Sequence, residues 1–401
     1  MDSMNSMKRI NLYIIAAILL LTVTTRNATA QTQRPGGVNN PNYTWLAWLT
    51  PDSYNNGVWT NLIQGSASVG DFTRQDLTPP KINSGYNFHP SVNFPFGGSG
   101  AADLSGRYWM LSANNTPGIE TSDNMTVVIV MKRSTANNYY DYLLGLSNES
   151  GVLKGSIGWR NAGSTLTWRW GGYTETDLTM PSISEGILVL DNANDASNKF
   201  NYYLNGSVNS DDATEQSLPS QKIAVASGRN ETGSVGYEGT IQEIIILKAN
   251  GETDRHLRPL DLQKIHSSLA IKYGFTLSNG DNYVNSAGQS VWDRTANAGY
   301  GYHITGIARD DASGLYQKQS KSINAASLLT VFVGSNVAAL NSSNGGQLPN
   351  GVYAMFGSNN GNINTVENLL SEIPVAPGST LTVNYLKGLK YKAQLTGAAT
   401  Q

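Results

Sequence analysis

The sequence predicts an all-β protein: an antiparallel β-sandwich with one short helix, followed by a second, smaller β-rich domain. Three observations carry that expectation. Short apolar runs recur between residues 125 and 247, each bounded by turn residues. Only one stretch, 259–273, is read as a helix, its apolar residues spaced by threes and fours. The composition is 39% hydrophobic but only 14% charged, and 41 of the 401 residues are Gly. Such a profile suits short strands and polar turns better than helices.

In chain order, Lys8 and Arg9 precede an apolar run over 10–23, and Ala28-Thr29-Ala30 supplies a small-residue cleavage pattern. Residues 1–30 therefore read as a signal peptide. The run is shorter than the roughly 20 apolar residues of a membrane span, so the mature chain is expected outside the cell or on its outer surface. Residues 31–42 are a flexible lead-in. Trp45, Leu46, Trp48 and Leu49 then form an apolar knot before Pro51. Strands follow at 125–131, 142–146, 156–159, 166–170, 187–190, 200–204, 223–226 and 241–247, with Asn205-Gly206 as a hairpin turn. The run over 241–247 is apolar almost throughout, as a strand buried on both faces is. Beyond it, Leu262, Ile265, Leu269 and Tyr273 mark one helical face. Pro259 suits its first turn and Gly274 its C-terminal stop.

The stretch 235–277, VGYEGTIQEIIILKANGETDRHLRPLDLQKIHSSLAIKYGFTL, holds an I-x-E-I-I-I strand at 241–246 and SLAIKYG at 268–274. It resembles the closing segment of laminin-G-like, concanavalin A-like domains in large secreted bacterial surface proteins. That resemblance implies a jelly roll over 43–277, often with a calcium ion at a loop edge. The block GIARDDASGLYQKQSKSIN, 306–324, resembles an uncharacterised β-rich module that follows such domains. It implies a module over 281–401, incomplete at its C-terminal end, with strands near 304–309, 328–333, 352–356 and 381–385. Residues 341–346 and 358–364 read as polar loops.

Charge and composition narrow the function. A net charge of −2 gives no electrostatic reason to expect nucleic acid or an anionic membrane. The chain has no Cys, which excludes disulfides and thiol chemistry. Glucanases of the concanavalin A-like fold carry Glu-x-Asp-x-Glu on one strand, because alternate residues face one side. Glu175-Thr176-Asp177 starts that spacing without completing it, and Glu238 and Glu243 stand on opposite sides of a regular strand. No catalytic residue is therefore assigned, and Glu243 reads as a strand-edge or loop-facing carboxylate. The histidines are His89, His256, His266 and His303; none are paired at i, i+4, and His266 is expected on the exposed side of the helix.

Two candidate binding sites stand out. Trp168 and Trp170 lie two apart in a strand and share a face; with Tyr173 they could form an aromatic platform for a sugar. The alternative is that this face is core. Asp191, Asn194 and Asp195 offer hard oxygen ligands for calcium. The alternative there, and at Asp310-Asp311, is a plain turn. The reading is a non-catalytic secreted or surface module that binds a glycan or a cell-surface protein. A glycoside hydrolase with an unorthodox carboxylate pair and a structural spacer remain as alternatives.

Overall fold

The computed structural model describes residues 33–401, leaving aside 66, 96–107, 119–123, 135–140, 148–152, 160–165, 171–174, 179–183, 193–198, 213–219, 228–235, 250–256, 362–365, 377–378 and 398–401. For some strand residues it describes the backbone alone. Residues 34–401 form one compact unit.

Two large antiparallel sheets make the sandwich. One has Asn124–Arg133 and Gly239–Ala249 at its centre, flanked by Glu185–Asn192 on one side and by Ser91–Phe94 and Tyr43–Leu49 on the other. The other runs from Glu175–Leu178 through Leu166–Trp170, Leu153–Trp159, Asp141–Ser147 and Lys222–Val225 to Met110–Ser112 and three short strands. Between them lies a core in which Ile129, Leu188, Ile244 and Ile246 of the first sheet meet Leu144, Ile157, Trp159 and Ile223 of the second. This is the expected jelly-roll sandwich.

The near-continuous apolar run at the end of the sandwich has a direct cause. Alternate residues of a strand face opposite sides, so Ile244 and Ile246 enter the inter-sheet core while Ile245 and Leu247 face outward. The outward face is covered by the helix Pro259–Tyr273, through Leu262, Ile265, Leu269 and Tyr273. Pro259 occupies the first turn. Gly274 ends the helix with φ 75°, and its N–H donates to the Ala270 carbonyl at 2.8 Å.

The same apolar layer continues into the second part of the chain, taking in Val291, Trp292, Ile304, Leu315, Tyr353 and Met355. Those residues belong to or border a sheet ordered Leu315–Gln317, Tyr302–Asp310, Tyr353–Ser358, Tyr391–Thr396. A hairpin joins Gln319–Lys321 to Thr330–Phe332 and another joins Val366–Ala376 to Ser379–Lys387.

The helix departs from expectation at one residue. It is sandwiched between the sheet and the second part of the chain, so His266 is 2% exposed rather than facing solvent. Its ring packs edge-on against Tyr203, centroids 5.7 Å apart. The strands Val366–Ala376 and Tyr391–Thr396 were not foreseen either. YKAQLT is mostly polar, and its strand state comes from pairing along Tyr353–Ser358.

Candidate functional site

The block Gln317-Lys318-Gln319-Ser320 is polar throughout, yet all of these residues are at most 9% exposed. Burial of amides demands partners, and each finds them. Gln317 donates through Nε2 to the Gln319 carbonyl at 2.7 Å and to the Asn87 carbonyl at 3.3 Å. Its Oε1 meets His89 Nε2 at 2.7 Å, which places the imidazole proton on Nε2 because an amide oxygen only accepts. Asn87, itself in the left-handed region at φ 50°, donates to the helix-terminal carbonyls of Ile271 and Lys272 and to Ser320 Oγ. Its Oδ1 accepts from the Lys321 N–H at 2.7 Å.

The other two residues of the block reach into the loop after Thr330–Phe332. Gln319 grips Ala338 as a strand neighbour would, Nε2 to its carbonyl at 2.8 Å and Oε1 from its N–H at 2.7 Å. The same Oε1 accepts from Asn344 Nδ2 at 3.1 Å. Asn341 Oδ1 accepts the Lys318 N–H at 2.7 Å, and Asn341 Nδ2 donates to the Tyr316 carbonyl at 2.8 Å. Lys318 Nζ donates to the carbonyls of Asn344 and Ser342 and lies over the Tyr316 ring, 5.4 Å from its centroid.

These bonds hold open a cleft of about 430 Å³ lined by residues 334–338 and 343–346. No lining side chain is ionisable. The backbone N–H groups of Gly334, Ser335, Asn336, Val337 and Gly345 have no acceptor among the described residues. Nor do the side chains of Ser335, Asn336 and Ser343 find a partner there. Val337 adds an apolar contact, 42% exposed. The wall is thus a preorganised set of neutral donors and acceptors on a loop anchored by buried amides.

A different polar cluster lies under the helix end. Glu243 follows a bulge in its strand, between Ile241 and Glu243, and so falls on the outward face with Ile245 and Leu247. It is 2% exposed on a central strand, which corrects the expectation of an edge or loop position. Oε1 accepts from Trp48 Nε1 at 2.6 Å; Oε2 accepts from Lys272 Nζ and from Tyr273 OH, both at 2.6 Å. Burial and then the Glu243 charge push the Tyr273 phenol well up. His89, edge-on to Tyr273 at 5.4 Å, is pushed down to about 4 by burial and then by Lys272. With both oxygens committed to donors, Glu243 is a structural anchor for the helix C-terminus, where a lysine also complements the helix dipole. Glu175 lies in the other sheet.

Of the residues expected to bind sugar, Trp168 is the register partner of Ile157 and Trp170 of Gly155. Ile157 and Leu166, which share that register face, are buried in the inter-sheet core. The side chains of Trp168 and Trp170, and Tyr173 altogether, lie outside the described residues. Asp191 is a strand residue, buried, whose Oδ1 accepts from Asn124 Nδ2 and Thr126 Oγ1, both at 2.7 Å. Asn194 and Asp195 lie outside the described residues. Asp310 is buried and accepts from Ser286 and Tyr353, while Asp311 pairs with Arg309 at 2.8 Å. Among the described residues no three His, Asp or Glu side chains gather as metal ligands would. The cleft itself was missed in sequence; the available signal was the Asn, Ser and Gly density of 334–346 opposite a Gln-Lys-Gln block.

A family model described as "Domain of unknown function (DUF8202)" matches residues 261–401, beginning inside the helix. No curated protein matches the chain. Among solved structures, a Trypanosoma rangeli sialidase in complex with sialic acid is similar at 10% identity over 57% of this chain and 33% of its own, TM-score 0.37. This chain therefore spans about a third of the length of that enzyme. Domain 4 of AbnA, a GH43 extracellular arabinanase from Geobacillus stearothermophilus bound to arabinotriose, is similar at 11% identity over 56% of this chain and 98% of its own, TM-score 0.37. A SAP-like pentraxin from Limulus polyphemus is similar at 9% identity over 39% and 74%, TM-score 0.31. Likeness this distant transfers none of these activities or ligands.

Proposed function

We propose that the chain is an exported, non-catalytic binding module with an adhesion role, and that it holds a glycan in the cleft lined by residues 334–338 and 343–346. One observation carries this reading: a cleft lined by serine hydroxyls, an asparagine amide and backbone N–H groups that have no acceptor among the described residues, with no ionisable lining side chain. Its size falls within the roughly 300–1,000 Å³ typical of small-ligand sites. A sugar presents hydroxyls that match such a wall, and Val337 offers a contact for its C–H face. The buried Gln319, Asn341 and Lys318 contacts fix the loop before any ligand arrives, which lowers the ordering cost of binding.

Glu243, saturated by Trp48, Lys272 and Tyr273, speaks for binding over hydrolysis at the carboxylate most open to suspicion. The signal-like segment 1–30 and the laminin-G-like resemblance of 235–277 support an extracellular setting.

Gly345 provides the test. Nothing lies within 4 Å of a side chain added there, and its φ is not left-handed. Gly345→Trp therefore adds a bulky side chain at a residue that lines the cleft without straining the backbone. On a glycan array the native protein binds a defined set of sugars and Gly345→Trp, melting at an unchanged temperature, loses them. Equal binding by both proteins removes the cleft from the reading.

A further inference from the structure

We infer that the cleft is built for an acidic sugar, one carrying a carboxylate, and that its backbone donors receive that group. The inference rests on the glycan reading above and adds the charge of the ligand. Successive backbone N–H groups can together receive an anion, as a nest does. Gly334, Ser335, Asn336 and Val337 are consecutive, line the cleft, and leave their N–H groups without an acceptor among the described residues. Gly334, at φ 97°, holds the start of that run in a conformation other residues rarely adopt.

Lys318 supplies the charge behind the wall. Lys318 is 9% exposed, and its ammonium donates to the carbonyls of Asn344 and Ser342. No carboxylate lies within ion-pair distance of it among the described residues. A trans peptide points its C=O and N–H in opposite directions. With the Asn344 carbonyl turned to Lys318, the Gly345 N–H is directed away from the lysine, on a residue that lines the cleft. The lysine charge and this peptide dipole therefore add in the same sense, making the cleft favourable for an anion. The nearest acids in sequence are spoken for: Asp311 by Arg309, and Asp310 by Ser286 and Tyr353.

The experiment uses oligogalacturonate, its fully methyl-esterified form, and sodium sulfate as ligands of the full chain, read by calorimetric titration. The acid is expected to bind about tenfold or more tightly than the ester, and to weaken as salt rises from about 0.05 to about 0.5 M. Gly345→Trp should abolish binding of the acid while leaving the melting temperature unchanged. Equal affinity for acid and ester overturns the inference and leaves the glycan reading standing. Sulfate binding as tightly as the oligomer also overturns it, since the site would then select a free oxyanion. If neither oligomer binds while the other sugars of the array are still held, the acidic-sugar assignment falls alone; if no sugar binds at all, the glycan reading falls with it. Lys318→Met serves as a second variant: loss of the acid-over-ester preference with ester binding intact supports the assigned role of the charge, and an unchanged preference contradicts it.

Discussion

Glu243 carries the strongest single-residue consequence. Removing one partner of a buried ion pair leaves the other charge unmet, at a cost of about 3–5 kcal/mol. Glu243→Ala is expected to lose that much in urea unfolding, against less than about 1 kcal/mol for an exposed pair such as Lys132 with Glu185. His89 and His266 make stability depend on pH. Burial lowers both to about 4 in the folded protein, while unfolded histidine titrates near 6.5. Because the folded values are depressed, their contribution is whole above about pH 6.5 and is lost as pH falls toward 4, at most about 3 kcal/mol for each. Unfolding curves at pH 7 and pH 5 measure it, and His266→Phe, which keeps a ring against Tyr203, should flatten the slope. Asp191 tests the calcium expectation: an ion held by Asp191, Asn194 and Asp195 would raise the melting temperature in calcium and not in chelator, and Asp191→Ala would erase the difference. Equal melting in both removes the metal.

At the scale of the element, Gly239–Ala249 is a strand with two cores. Ile244 packs between the sheets and Ile245 under the helix, both 0% exposed. Truncating either to Ala is expected to cost about 2–5 kcal/mol. A loss below about 1 kcal/mol for Ile245→Ala would mean that the helix does not seal the outer face. The helix stop is equally specific. Gly274 is left-handed, and a Cβ there would run into the Lys321 carbonyl oxygen, so Gly274→Ala should destabilise by more than the about 1 kcal/mol of an ordinary helix-cap change. The Gln317–Ser320 block shows the opposite pattern: a short, polar element made indispensable by what its amides hold together.

For the molecule as a whole, the apolar layer around the helix unites the sandwich with the sheet of the second part. Trp292, Tyr353 and Met355 bury against the same cluster as Leu262 and Ile265. Unfolding of this unit is therefore expected to be one cooperative transition by calorimetry. Two separated transitions, with the first removing only signals from residues beyond 281, would show that the shared layer does not couple the parts.

Sequence alone determined eight sandwich strands, from 125–131 to 241–247, the Asn205-Gly206 turn and the helix from Pro259 to Gly274, but not the strands Ser91–Phe94, Met110–Ser112, Glu175–Leu178 and Ser207–Asp212. The features it determined depend on periodicity and on backbone preferences of Pro, Asn and Gly, which are local properties. Tertiary structure decided the rest. His266 is buried because a second layer covers the face that the helix would otherwise show to water. Glu243 is an anchor because a bulge turns it toward Lys272 and Tyr273, and Trp48 arrives from a strand far away in the chain. The cleft exists because Gln319 and Lys318 are pressed against a loop whose own sequence reads as an ordinary polar turn. Each of these outcomes depends on which distant residue becomes a neighbour, and no spacing along the chain encodes that contact.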